Sequence, residues 1–285
     1  MKKILLVPNI DKSDCIPTTI KIIDMFISLG AKVLLDNSYK TVFNNNEIAF
    51  SEIDCLLNEC DLIVTIGGDG TIIHSAKYAV SADKPIIGVN VGRLGFLAEV
   101  EKEHIFMLKK IIFDDFSIQP RMILKAEIVS ENSSQSYYAV NDIVLSKGEL
   151  AKMIDIDVYC NDKMMCSYRS DGLIFATPTG STAYSMSAGG PIVDPRIDSI
   201  LLTPICPHSL FARSILFSHD SVLKARSKKI NNCNDMYVTI DGERAIKIES
   251  NEHVVISKAD VYVKFIALGE KSFFNTFNDK INLRG

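Results

Sequence analysis

The segment Thr65-Ile66-Gly67-Gly68-Asp69-Gly70-Thr71 has the makings of a phosphate cradle with an acid inside it. An apolar run precedes it and a helix-compatible run follows, so it reads as a turn from a buried strand into a helix. Glycines let the backbone approach a phosphate closely, and a helix N-terminus offers free N–H groups to an anion. The loop is not a Walker A motif, because no lysine accompanies Gly70-Thr71, and its glycine spacing is wrong for the dinucleotide-binding turn. Asp69 is out of place for binding alone, since a carboxylate repels phosphate. It can hold a metal ion that bridges phosphates, accept a hydrogen bond from the hydroxyl that attacks phosphorus, or merely cap the helix.

Four other stretches carry polar groups in patterns that suit a nucleotide. Asn90-Val91-Gly92-Arg93-Leu94-Gly95-Phe96-Leu97 follows an apolar strand, at the edge of a parallel sheet where ligands bind. Phe96 there either stacks on a base or packs as core. Asn141-Asp142 interrupts a strand-like run, as a bulge or turn, or as a pair that reads an adenine edge and ribose hydroxyls. Residues 168–191 crowd Ser, Thr and Gly around Tyr184, which makes poor core and either a surface loop or a polar lining. Asp241-Gly242-Glu243 reads as a turn. His74, one turn into the helix after the glycine loop, is either a phosphate contact or an ordinary histidine. His208, in Pro204-Ile205-Cys206-Pro207-His208-Ser209-Leu210, fits a strand-to-turn role better than catalysis.

The elements that must position these residues fall into two halves. Residues 3–7, 32–35, 61–66 and 85–89 read as strands, and residues 18–29 and 71–80 as helices. Ile20, Ile23, Phe26 and Ile27 form one side of the first helix, and Gly30 ends it. Such alternation implies a parallel sheet with helices on its faces. A helix is expected over 101–112. The segments 121–130, 136–146, 153–160, 172–177, 236–240 and 261–266 are then β-rich, and Asn161-Asp162 and Asp241-Gly242 mark turns between them. This half reads as antiparallel and sandwich-like, with the boundary near residues 97–117. The tail, 271–285, has the pattern of an amphipathic helix.

The chain of 285 residues is 47% hydrophobic and 23% charged, long enough for two globular domains. A net charge of −4 and the absence of a long basic run argue against nucleic acid; Lys224, Arg226, Lys228 and Lys229 read as a solvated loop. Seven cysteines (Cys15, Cys55, Cys60, Cys160, Cys166, Cys206 and Cys233) without a CxxC pair fit reduced thiols better than disulfides or zinc. Pro8, Asn9 and Asp11 break the first apolar run too early for a secretion signal, and no stretch is long enough for a transmembrane helix.

Gly67-Gly68-Asp69-Gly70-Thr71 resembles the GGDGT motif of NAD kinases, also found in diacylglycerol and sphingosine kinases and, in a close version, in phosphofructokinases. Asn90–Leu97 resembles the NxGxLGFL segment of NAD kinases. Asn141-Asp142 resembles their NE motif, with Asp where the family more often has Glu. The strongest resemblance lies in Tyr168-Arg169-Ser170-Asp171-Gly172 and Thr177–Pro191, which match the YRxDG…TPTGSTAYxxSAGGP signature that the lipid kinases and phosphofructokinases lack. Pro204–Leu210 resembles TPICPHSL, and Asp241–Glu243 resembles DG[QE].

The resemblance implies a Rossmann-like α/β domain over 1–100, a β-sandwich-like NAD-binding domain over 101–265, and a segment over 266–285 that packs back on the first. It implies transfer of the γ-phosphoryl group of ATP to the 2′-hydroxyl of the adenosine ribose of NAD. Asp69 would orient and deprotonate that hydroxyl, and Gly67, Gly68, Gly70 and Thr71 would cradle phosphates. Gly70, His74, Phe96, Asn141, Asp142, Arg169, Asp171, Thr182, Ala183, Tyr184, Ser187, Cys206 and Glu243 would meet NAD, which in the family lies between the domains. A divalent cation, Mg2+, would be carried by the ATP phosphates. The family also implies a cytoplasmic homodimer or homotetramer with shared active sites, Asp171 reaching into a neighbour, and no membrane or nucleic-acid partner. ATP or polyphosphate as donor, and NAD+ or NADH as acceptor, stay open. The rivals are a lipid or sugar kinase, against which residues 169–191 argue, and a nucleotide sensor without turnover.

Overall fold

The computed structural model describes residues 1–131, 133–148, 152–209, 212–227, 236–243, 245–269 and 273–282. Cys233, Lys228, Lys229, Leu210 and parts of the expected tail helix lie outside these. The chain forms two compact units, residues 1–120 with 263–285, and residues 121–262.

The first unit runs β1 (Lys3–Pro8), α1 (Cys15–Ser28), β2 (Lys32–Asp36), β3 (Ala49–Ser51), α2 (Ile53–Glu59), β4 (Leu62–Gly67), α3 (Asp69–Ser81), β5 (Ile86–Asn90), β6 (Val100–Glu101) and α4 (Lys109–Ile112). Its parallel sheet has the order β5-β4-β1-β2-β3, with β6 beside the end of β5. Every residue of β4 and β5 is buried, as expected for central parallel strands covered on both faces. Ile4, Leu6, Val33, Val64 and Val89 pack with Ile22, Ile23 and Phe26 of α1 in one core. Each such side chain contributes about 1.5–3 kcal/mol by leaving water.

Two expectations for this unit change. The buried face of α1 is Cys15, Thr18, Thr19, Ile22, Ile23 and Phe26, while Ile20 is 44% exposed. Thr19 can face the core because its hydroxyl donates to the Cys15 carbonyl at 2.8 Å, leaving only its methyl to be packed. The helix expected over 101–112 is a run of 3₁₀ turns over Lys102–Leu108 followed by α4, with His104 in a non-helical conformation that breaks the ladder.

The second unit comprises β7 (Ser117–Val129), β8 (Ser134–Ala139), β9 (Asp142–Lys147), β10 (Ile154–Cys160), β11 (Lys163–Ser170), β12 (Gly172–Ala176), α5 (Tyr184–Ser187), β13 (Ser199–Ile205), β14 (Ile215–Ser218), β15 (Leu223–Ser227), β16 (Met236–Ile240), β17 (Ile246–Ile248) and most of β18 (His253–Ala267). One sheet has the antiparallel order β14-β13-β12-β9-β16-β17. The other runs β11-β10-β15-β18, and β7 joins it through β18 and carries β8. Ile154, Ile156 and Val158 of one sheet and Met236, Val238 and Ile240 of the other alternate into a shared core, the pattern of a sandwich. The fold class expected from the sequence is thus borne out: a parallel α/β unit and a two-sheet β unit. The run expected as one strand over 136–146 is two, because the chain leaves β8 in one sheet at Val140-Asn141 and enters β9 in the other. β12 is buried throughout because Val193, from the loop after α5, joins Ile174 and Ala176 on its outer face.

The chain passes between units inside β7 and β18. In the first unit the end of β18 pairs in parallel with β5 through Phe265 and Ile86. It is followed by α6 (Phe273–Asn282), whose Phe273 ring lies 6.5 Å from that of Phe96.

Candidate active site

In the first unit, β1, β4 and β5 all end at the carboxyl edge of the sheet, and the loops that follow them meet there. Gly68 precedes α3, and Asp69 is its first residue. The Asp69 carboxylate does not cap its own helix: Oδ2 accepts the Phe96 N–H at 2.8 Å and Oδ1 the Leu97 N–H at 3.1 Å. A Cβ at Gly95 would stand 2.0 Å from Asp69 Oδ1, so only glycine allows this approach. Asn90, 1% exposed, shapes the same loop: its amide donates to the Arg93 carbonyl at 3.1 Å and to Glu101 at 2.7 Å, and its oxygen accepts the Gly92 N–H at 3.1 Å. Thr71 Oγ1 accepts from Asn9 at 3.1 Å, tying the loop after β1 to the glycine loop.

Beside α3, Pro8, Asn9, Asp36, Tyr39, Gly70, Thr71, His74 and Tyr78 contribute to the lining of a cleft of about 520 Å³. His74 is exposed, with its Nε2 3.5 Å from the Tyr78 hydroxyl. Phe96 is half-buried. Among the described residues, no group of three or more His, Cys, Asp or Glu side chains is placed to hold a metal ion.

In the second unit, Asn141, Asp142, Val144, Ser146, Ala183, Tyr184, Thr239, Asp241 and Gly242 line a cavity of about 420 Å³. Four residues singled out by sequence, Asn141, Asp142, Ala183 and Tyr184, therefore share one wall. Asp241 organises it. Its carboxylate accepts N–H groups from Val140 at 2.9 Å, Asn141 at 2.7 Å and Asp142 at 3.1 Å. Asp241 and Gly242 both have positive φ, 51° and 73°, and the Glu243 N–H closes the turn onto Ile240 at 3.0 Å. Positive φ at both central residues is the type I′ turn that Asp-Gly favours. The turn and its Glu243, which is exposed, are legible in the sequence, but the carboxylate that does the holding is not.

The hydroxyl-rich stretch is mostly scaffold. Thr177 Oγ1 donates to the Val140 carbonyl at 2.7 Å, and Ser181 Oγ donates to the Pro178 carbonyl at 2.7 Å and accepts from Val193 at 3.0 Å. Thr182 is buried with Oγ1 3.3 Å from the Thr179 carbonyl, and Ser187 is exposed; neither lines the cavity. Arg169, Asp171 and Cys206 form a separate group. Asp171 pairs with Lys147 at 2.6 Å, its N–H donates to the Ile205 carbonyl at 3.0 Å, and the Arg169 carbonyl accepts from His208 at 2.8 Å. Cys206 has φ 45°, uncommon for a residue with a Cβ. The six described cysteines are free thiols.

Asp142 is unusual among these carboxyls. Burial first, and then the charge of Asp241, push its pKa up to about 7, against a smaller opposing effect of the Tyr184 backbone. A raised folded pKa means that stability is full below the unfolded value and is lost as pH rises toward 7. Asp142→Asn should therefore gain on the wild type between pH 5 and pH 8, by on the order of 1–3 kcal/mol in urea unfolding. An equal difference at both pH values would refute the neutral Asp142.

Family models described as the ATP-NAD kinase N-terminal domain and the ATP-NAD kinase C-terminal domain match residues 5–116 and 140–268. The NAD kinase of Thermoanaerobacter sp. (strain X514) is 35% identical over all of both chains. That of Acetivibrio thermocellus is 36% identical over 100% of this chain and 99% of its own. Among solved structures, yeast NADH kinase complexed with NADH has a TM-score of 0.88 at 24% identity, covering 99% of this chain and 88% of that one. An NAD kinase from Archaeoglobus fulgidus in complex with ATP has a TM-score of 0.76 at 24% identity, covering 99% of each chain. The solved structures speak for the fold, and the relatives and family models for descent: this chain belongs to the NAD kinase family.

Proposed function

We infer that the chain transfers the γ-phosphoryl group of ATP to the 2′-hydroxyl of the adenosine ribose of NAD, giving ADP and NADP. The observation that carries this is the Asp69 carboxylate, fixed at the head of α3 by two backbone N–H groups inside a glycine loop. Each carboxylate oxygen has a second lone pair, so the Phe96 and Leu97 contacts leave room to accept from a substrate hydroxyl. Asp69 orients the 2′-hydroxyl and takes its proton as that oxygen bonds to the γ-phosphorus and the bond to ADP breaks. Gly67, Gly68, Gly70 and Thr71 face the phosphates. The divalent cation, Mg2+, enters with the ATP phosphates; among the described residues no cluster of three or more His, Cys, Asp or Glu side chains competes for it.

For NAD, we assign the adenosine end to the cavity wall of Asn141, Asp142, Ala183 and Tyr184, with Gly70, His74, Phe96, Arg169, Asp171, Thr182, Ser187, Cys206 and Glu243 as further contacts. Residues 121–262 are then the NAD-binding domain and the first unit is the Rossmann-like domain. The free thiols suit the reducing cytoplasm, where we place the enzyme. We also propose a homodimer or homotetramer in which Asp171 serves a neighbouring subunit. Arg169 and Asp171 lie outside the cavity lining of their own unit, which supports a role in trans.

Three measurements test these assignments. Incubation with Mg-ATP and NAD+ should yield NADP+, and Asp69→Asn should fold and bind NAD+ but lose about 10²–10⁴-fold in turnover; near-native turnover would remove Asp69 from catalysis. Asn141→Ala and Tyr184→Ala should raise the KM for NAD+ well above any change for ATP, since a lost buried polar partner costs about 1–3 kcal/mol. A shift confined to ATP would exchange the two nucleotides. Inactive Asp69→Ala and Asp171→Ala chains, unfolded and refolded together, should regain activity if Asp171 acts in trans. A dead mixture of verified mixed oligomers would place Asp171 within its own site.

A further inference from the structure

The glycine loop lacks the lysine that a Walker loop uses on phosphate. We propose that Lys12, from the loop after β1, fills that place and binds the phosphate chain of the donor nucleotide. The assignment rests on the reading of Gly67–Thr71 as the donor-phosphate loop.

Lys12 is held there by its own backbone and by its neighbours. The Asn9 N–H donates to the Ile66 carbonyl at 2.9 Å and the Asn9 amide to Thr71 Oγ1 at 3.1 Å, so this loop is fastened to the strand end and helix start that form the cradle. A tight turn follows, with the Lys12 N–H on the Asn9 carbonyl at 3.2 Å and the Cys15 N–H on the Lys12 carbonyl at 3.0 Å. The side chain then lies across the glycines. A Cβ on Gly68 would stand 2.4 Å from Lys12 Nζ, and one on Gly92 would stand 3.3 Å away. The ammonium thus rests against the α-carbons of both loops, and a side chain at Gly68 would displace it.

The electrostatics of this position favour an incoming anion. Lys12 is half-buried, and none of the ion pairs among the described residues includes it. Asp69, on the same loop, directs its oxygens to Phe96 and Leu97. The N-terminus of α3 adds partial positive charge of its own. With the Asp69 oxygens turned onto backbone N–H groups, Lys12 and the α3 N-terminus present two positive groups to a triphosphate, which supplies several negative charges. Lysine suits the task as a compact point charge on a flexible stem.

The full-length protein tests this with Lys12→Met and Lys12→Arg, each checked by thermal melting. In calorimetric titration with ATP alone, Lys12→Met should weaken binding roughly tenfold to a hundredfold, the usual weight of a charged hydrogen bond. Lys12→Arg should recover part of the loss. In initial-rate assays, the KM for ATP should rise while the KM for NAD+ stays unchanged. Inorganic tripolyphosphate should compete with ATP on the wild type and much more weakly on Lys12→Met. Wild-type ATP affinity in Lys12→Met, or a shift confined to NAD+, would overturn the assignment. Failure of the wild type to form NADP+ would overturn the proposed reaction, while the ATP titration would still judge Lys12.

Discussion

Two backbone N–H groups, from Phe96 and Leu97, hold the Asp69 carboxylate at the head of α3, and the geometry of the glycine loop depends on that grip. A carboxylate held inside a glycine loop needs compensation, and hydrogen bonds to a charged group are worth about 1.5–3 kcal/mol each. The donors come from the loop after β5 and the acid from the loop after β4, so neighbouring parallel strands must deliver both to one edge. Asn90 stiffens the donor loop from beneath, and Gly95 clears the space for contact. Gly95 thus serves the close approach of the protein's own acid, and the proposed access for phosphate falls to the glycines that precede α3.

The second unit uses the same device for a different purpose. Asp241 spends its carboxylate on three successive N–H groups, and so fixes the point where the chain leaves one sheet and enters the other. That point is Asn141. The Asp241 carboxylate also acts on Asp142, which is buried beside it and pushed toward neutrality by burial first and by that neighbour second. The two acids thus differ by environment, one an anchor for backbone and the other the polar wall of a cavity.

Much of this is legible in the sequence. The alternation of apolar runs with helical stretches located the parallel sheet, and Asn161-Asp162 and Asp241-Gly242 located hairpin turns whose residues all have positive φ. The glycine loop, Asn141-Asp142 and Tyr184 stood out by composition. What stayed hidden depends on tertiary pairing. Ile20 and Thr19 exchange places on α1 because a hydroxyl can satisfy itself within the helix. Lys12 is a lone lysine in a loop, and nothing local tells that it will lie across Gly68. Asp241 reads as a turn former, since its three donors lie far away along the chain.

The longest motif, residues 168–191, separates recognition from support. A row of hydroxyls resembles a ligand lining, yet Thr177, Ser181 and Ser185 are buried and bonded to protein groups. Such residues are constrained by their partners, backbone groups for Thr177 and Ser181 and the Thr203 hydroxyl for Ser185: removing one hydroxyl leaves a buried donor or acceptor unsatisfied at about 1–3 kcal/mol. Their bonds to the Val140 and Val193 backbone set the turn from which Ala183 and Tyr184 reach the cavity. The density of the motif thus measures the precision with which a few side chains are placed. Residues that line the cavity are the minority within it, and the rest make their position unique.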